Sequence, residues 1–350
     1  MAAPADYWDT ADLKALTAGG LVNEDVMQKI WDISQIPLPF TDRIGTDTCD
    51  NSYTEWTTDA LAAPNIANAV VSGADVSTYN NAGGARVGNH CQNSIKALAV
   101  TERAQSTDNI GRRDELAYQL MMRQQELRRD VEAIALSPQA SVADDNNTTA
   151  GKTAGFPSWL TSNDDLGATG TATGFNTTTK VVAAPTVGTV RVLSMATLKN
   201  IIEAVYLNNG DVTVLMSVPQ LIRRLSSYIL ANPTAAGIAT PTANVRGEGG
   251  KVTQTAQGYV QVLVTDFGTS LEMVPNRLQQ TYNTGTACDV LLIDTARVAL
   301  AYLKNYVAHP LAKLGLSERK EISVDWTVKV YQEKAHGVIR DINPTGTVAA

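Results

Sequence analysis

Three short motifs in this chain of 350 residues carry residue types that do chemistry elsewhere. Gly151-Lys152-Thr153 has the ending of a phosphate-cradling loop, where Lys reaches the phosphate charge and the Thr hydroxyl holds magnesium. Such a loop needs a glycine five residues before Gly151, and Asn146 stands there. It also needs a strand before it and a helix after it. A helical pattern and an Asp-rich stretch precede it instead, so an ordinary loop is the better reading. Gly247-Glu248-Gly249-Gly250-Lys251 fails in the same way, because Val252 replaces the needed hydroxyl. Asp266-Phe267-Gly268 matches a magnesium-binding triplet of kinases, but no H-R-D loop or V-A-I-K strand accompanies it. It reads as a hairpin turn.

His90, His309 and His336 have no metal-ligand partner at a chelating spacing. His90 and Cys91 are adjacent, so on a strand they point to opposite faces. No metal or cofactor is expected. The acid pairs Asp144-Asp145 and Asp164-Asp165 fall in polar stretches that read as floppy loops, where nothing would raise one carboxyl for acid–base work. There is no G-x-S-x-G elbow. No catalytic constellation survives, and the expectation is that the chain is not an enzyme.

Composition agrees with a packed chain and says nothing more of function. Hydrophobic residues are 44% and charged residues 18%, against a usual charged share of about 25%. The net charge of −7 argues against a surface built to wrap nucleic acid, because phosphate binding needs clustered Lys and Arg. Cys49, Cys91 and Cys288 are too few and too scattered for a disulfide framework, which points to a reducing compartment. No signal peptide or membrane span is legible.

The elements follow from periodicity. Asn23 caps a short helix that Pro37 stops, and Ile36–Phe40 reads as an extended arm. Residues 46–58 and 87–101 read as strands, separated by about 28 residues rich in Ala, Asn and Gly. A hairpin of that kind cannot be its own core. Leu116, Leu120, Leu127, Val131 and Ile134 place a long helix over 108–136, with Arg128–Glu132 and Glu126–Arg129 as surface pairs. Residues 138–180 read as a long irregular segment. Helices at 194–207 and 219–231 flank a buried strand at 212–216, and a hairpin follows at 260–274. Strands follow at 289–293 and 298–303, with a half-buried one at 322–330. Arg112, Arg113, Arg123, Arg128 and Arg129 make the long helix locally basic, but interleaved acids favour a salt-bridged face. An arm and a hairpin that one chain cannot bury suit a protein that packs against copies of itself.

The order of parts resembles the major capsid proteins of tailed bacteriophages, with the Hong Kong 97 (HK97-like) fold, and within them the SU10-like major head proteins. The resemblance is carried by Glu55-Trp56, by Arg86 to Gln92, and by Asp114 to Gln119 running on to Glu126–Glu132. Val264 to Gly268 and Glu333 to Gly337 complete the set. It implies an α+β fold with these parts: an N-terminal arm (1–45), an extended E-loop hairpin (46–106), a P-domain (107–185) with a spine helix over 107–137, an α/β A-domain (186–285), and a closing P-domain part (286–350). It further implies hexamers and pentamers in an icosahedral shell around double-stranded DNA. The particle, a virion, would be assembled in the host cytoplasm. The DNA would be touched non-specifically at most, and no membrane would be involved.

Implied partners are a separate scaffolding protein or none, a portal and a decoration protein. Trp31, Phe40, Glu55, Trp56, Arg86, Lys96, Arg112, Arg113, Arg128 and Arg129 are the expected inter-subunit contacts. The alternatives are an encapsulin-type compartment shell, a phosphate-binding enzyme using Gly151-Lys152-Thr153, and a surface-layer protein, which the lack of a signal peptide disfavours. Some relatives join a hairpin Lys covalently to a neighbour's Asn. Here the only Lys between 46 and 100 is Lys96, near the hairpin base. Boiled, reduced particles should therefore run on a denaturing gel as one band near 37.3 kDa; a ladder of multimers would refute this.

Overall fold

The computed structural model describes residues 38–73, 75, 83–107, 114–145, 147–231 and 262–349. In chain order the strands are β1 (Gly45–Thr48), β2 (Tyr53–Thr58), β3 (Ala85–His90) and β4 (Gln92–Thr101). The helices α1 (Glu102–Ser106), α2 (Glu115–Ala135) and α3 (Phe156–Trp159) come next, followed by three two-residue strands, β5 (Asp164–Asp165), β6 (Phe175–Asn176) and β7 (Val181–Val182). Then come α4 (Met195–Leu207), β8 (Val214–Ser217), α5 (Pro219–Ala231), β9 (Val262–Val264) and β10 (Ser270–Pro275). The chain closes with β11 (Cys288–Ile293), β12 (Val298–Leu311), β13 (Ser317–Val330) and β14 (Gly337–Ile342).

Two sheets organise the body. One has the order β1-β12-β13-β4, and the other β5-β14-β11-β8-β10-β9. The second is buried on both faces. Along β11, Leu291 and Ile293 enter one core, while Val290 and Leu292 enter the other. Strict alternation over two apolar faces is why this strand reads as an unbroken hydrophobic run. Helices α4 and α5 cover one face through Leu198, Ile201, Val205, Leu221 and Leu225. On the other face, α2 and the four-stranded sheet supply Leu127, Val131, Val324 and the fully buried Trp326.

Helix α2 begins where Asp114 accepts from the Ala117 N–H at 3.0 Å. At ~1.5 Å per residue, its 21 residues span about 31 Å. Residues 108–113 of the expected helix lie outside the described residues. The expected surface pairs on this helix do not form. Glu126 pairs with Arg123 instead, and Arg128 approaches Asp42 at 3.7 Å. Glu132 turns inward. It is fully buried and accepts from the Phe40 N–H at 2.8 Å, the Thr41 N–H at 2.8 Å and the Asn276 side-chain amide at 2.7 Å.

Other departures from sequence have local causes. The expected strand over 46–58 breaks at Cys49–Ser52, where Asn51 Oδ1 takes the Ser52 N–H, so β1 joins β12 while β2 joins β3. β12 and β13 run far beyond the expected 298–303 and 322–330, pairing with each other through two irregularities between Tyr302 and Val307. Asp164-Asp165 is not loop but β5, parallel to β14, and burial raises the Asp164 carboxyl above its usual value. Asp145 does not float either. It accepts from the N–H groups of Asn147, Thr148 and Thr149, and these hold its carboxyl well below the usual range.

The Glu132 carboxylate holds three donors that would otherwise be buried and unpaired. Glu132→Ala should lower unfolding free energy by about 3–5 kcal/mol in a denaturant titration, because breaking a buried charged cluster strands its partners. A loss below about 1 kcal/mol would show that the contacts are dispensable.

Candidate assembly surface

The hairpin β2–β3 shows how much of the protrusion the chain holds by itself. Its root is anchored. Trp56 donates its indole N–H to the Val330 carbonyl at 3.0 Å and packs on Trp159 at 5.4 Å, which stacks on Phe175 at 5.8 Å. On the return strand Asn89 is fully buried. Its amide donates to Thr153 Oγ1 and to the carbonyls of Ala154 and Val328, and its Oδ1 accepts the Ala154 N–H at 3.0 Å. The expectation from sequence that the hairpin either packs on something outside its chain or stays mobile is therefore corrected for residues 53–58 and 85–90. They dock on the body through Trp56 and Val87.

Beyond the root, packing stops. Leu61 and Ile66 are as exposed as in an extended chain, and Val70 and Val71 are more than three quarters exposed. Four large apolar side chains on one unsupported segment are unusual for a monomer surface. A second projection is the far end of β12–β13. There Leu314 and Leu316 are exposed, and Lys313 bridges Glu102 at 3.3 Å and Glu318 at 3.5 Å. A third apolar area is the stacked Tyr206–Phe267 pair beside Val264 of β9; Leu207 and Val262 are exposed as well.

The expected contact residues divide. Trp31, Arg112 and Arg113 lie outside the described residues. Phe40 is enclosed by its own chain, packed on Phe156 at 5.6 Å in the main core, so it has no surface to offer a neighbour. Glu55 and Arg86 pair with each other across the hairpin, and Lys180 reaches Glu55 at 3.4 Å. Lys96 bonds to Asp130 of α2 at 2.8 Å. Arg128 and Arg129 are exposed on α2. The structure thus brings Glu55, Trp56 and Arg86 together at the hairpin root and leaves Phe40 inside. Sequence reading missed the 59–71 apolar segment as a unit and the Leu314–Leu316 tip; single exposed apolar residues among Ala, Asn and Gly leave no periodic signal.

The chemical look-alikes are accounted for by packing. Lys152 exchanges backbone hydrogen bonds with Val142, and the buried Thr153 hydroxyl lies 3.0 Å from both Asn89 and Thr327. That hydroxyl faces the core rather than a ligand. Asp266 sits in the β9–β10 turn, beside Lys199 at 3.3 Å. His336 is wholly buried against Phe156, and burial pushes its imidazole down to about 4, so it is neutral near pH 7. Among the described residues no three His, Cys, Asp or Glu side chains are placed to hold a metal, and no helix is long and apolar enough to cross a membrane.

The sequence profile of the SU10 major capsid protein family matches residues 10–343. The chain belongs to the SU10 major capsid protein family. A major capsid protein of Escherichia phage Phieco32 is 34% identical over 108 residues, which is 31% of this chain and 31% of that protein; the alignment thus spans about a third of the curated relative's length. A subunit from the capsid of a native GTA particle superposes with a TM-score of 0.57 at 9% identity, over 96% of this chain and 99% of that one. The holo-SrpI encapsulin of Synechococcus elongatus PCC 7942 gives 0.50 at 10% identity, over 91% and 94%. At such identities the likeness is one of fold: HK97-like, with mixed helix and sheet.

Trp56→Ala should leave the sheets intact and loosen the hairpin root. Amide exchange across 85–90 is expected to rise at least tenfold, as the Trp56–Trp159 packing and one buried hydrogen bond are lost. Unchanged protection there would place the anchor elsewhere.

Proposed function

We propose that this chain is the major head protein of a tailed bacteriophage, assembling into hexamers and pentamers of an icosahedral shell around double-stranded DNA. The observation that carries this reading is the unsupported apolar segment 61–71 on an otherwise well-packed body. In a shell such a segment recovers its exposed area against a neighbouring copy. Ring contacts are head-to-tail, so each subunit needs two different complementary surfaces. The hairpin and the area around Tyr206 and Phe267 supply unlike apolar faces on one chain.

In this reading residues 1–45 are the arm, 46–106 the E-loop and 107–185 the P-domain with its spine helix. Residues 186–285 form the A-domain that meets its copies around the ring axes, and 286–350 close the P-domain. Glu55, Trp56 and Arg86 act at the hairpin root, where they set the direction of the projecting segment. Arg128 and Arg129 are the contact candidates of α2. The role is structural, without catalysis or cofactor, in a virion assembled in the host cytoplasm. A separate scaffolding protein, a portal and a decoration protein are its partners.

A compartment shell of encapsulin type is the second reading, favoured by the superposition on the SrpI subunit. Negative-stain microscopy of the protein expressed with its genomic neighbours decides between them. Closed shells of uniform diameter holding nuclease-protected DNA are expected. Shells that hold only protein cargo would favour the compartment. A concentrated, folded protein that stays monomeric under every assembly condition would overturn both.

A further inference from the structure

Cys49 and Cys91 are 42 residues apart in sequence, yet their Sγ atoms lie 3.7 Å apart. Both are buried, and Ala301 and Leu303 complete their small apolar cluster. Cys49 directly follows β1, and its N–H donates to the Tyr302 carbonyl of β12 at 3.2 Å. Cys91 lies between β3 and β4, and its N–H donates to the Ser52 carbonyl at 2.7 Å. The two sulfurs therefore meet where the chain leaves the four-stranded sheet for the hairpin and where it returns. We propose that this pair is a redox-closed staple: a two-electron oxidant joins Cys49 to Cys91 within one chain and seals residues 50–90 into a covalent loop rooted on the sheet.

Distance, anchoring and access support the assignment. A disulfide is about 2.0 Å long, so the sulfurs must close by about 1.7 Å, a movement within reach of two side-chain rotations. Both backbones are pinned by the hydrogen bonds just described, which keeps the pair in register without a bond between them. Cys91 also lines an open cavity of about 640 Å³ with Ser52, Tyr53, His90 and Gly151, wide enough for a small oxidant. Cys288 makes a natural control: it is buried in the other core, with its sulfur at the Ile342 carbonyl.

Burial pushes the Cys91 thiol up to about 12, with Cys49 and Asp325 adding to it. At neutral pH it is therefore a thiol that reacts slowly, so closure needs an added oxidant. With diamide as oxidant, one sulfur adds to the N=N bond and the second displaces it. Two S–H bonds are lost, one S–S bond forms, and both protons and both electrons pass to the diazene, which leaves as a hydrazine. Closing so long a loop removes conformations from the unfolded chain and raises stability.

The test uses the purified, folded protein, reduced and then freed of reductant. It is treated with diamide, alkylated and digested with trypsin, with a parallel melt. The tryptic peptides 44–86 and 87–96 should appear joined by a bond that dithiothreitol opens. Two of the three thiols should be lost without inter-chain dimers, and the melting midpoint should rise by several degrees. Cys91→Ala or Cys49→Ala should abolish both effects, and Cys288→Ala should leave them. The reduced and oxidised wild type give the comparison without any variant. Cys49 and Cys91 remaining open to alkylation after diamide would overturn the staple. So would a link to Cys288 or to another chain, or a joined peptide with no rise in midpoint. None of these readouts requires a shell, so failure here is separable from failure of the capsid reading.

Discussion

A carboxylate taken out of water costs several kcal/mol unless donors replace the lost solvent. Glu132 meets that demand with donors from places far apart in the chain: two backbone N–H groups at Phe40 and Thr41, and the amide of Asn276. Because the charge tolerates no vacancy, three segments must arrive together. The turn at 38–42 closes over the main core and seats Phe40 on Phe156. The long helix is held with Leu127 and Val131 facing the same core. Asn276, just past β10, is drawn to the helix, which joins the six-stranded sheet to it.

Three other polar side chains repeat this solution on a smaller scale. Asn89 fastens the hairpin to the body through Thr153, Ala154 and Val328. Glu333 gathers the N–H and hydroxyl groups of Thr161 and Ser162. Lys329 reaches Asp47 at 2.7 Å, and its ammonium holds that carboxyl below the usual range. Each clamp joins segments that periodicity alone would leave as separate pieces. Much of what reads as irregular chain between 138 and 180 is ordered by such contacts rather than by secondary structure.

How far the sequence was legible follows from where the determining interactions lie. Local signals were readable: Ser194 capping α4, Asn209 in the left-handed conformation after it, and the 219–231 helix all emerged from spacing. The apolar run Val290–Ile293 announced a strand buried on both faces. Long-range pairing was not readable. Residues 317–321 are polar throughout, and they are strand because β4 on one side and β12 on the other supply their hydrogen bonds. Glu132 looked like half of a surface ion pair because the i,i+4 rule knows only the helix it sits on. The hairpin root escapes local reading for the same reason, since Trp56 and Asn89 find partners more than 60 residues away. Residue type marks Phe40 as a contact, and type does not say that it is inside.

The segment from Leu61 to Val71 is joined to a rigid root and touches almost nothing else of its chain. Its path is therefore not encoded in one molecule. Redirecting it breaks no internal bond, so the same sequence can point differently in different surroundings while every core distance stays the same. In the shell proposed above, subunits placed at unequal positions of a curved lattice would need that freedom somewhere. Among the described residues, Leu61–Val71 is a place that can supply it without disturbing the packed cores.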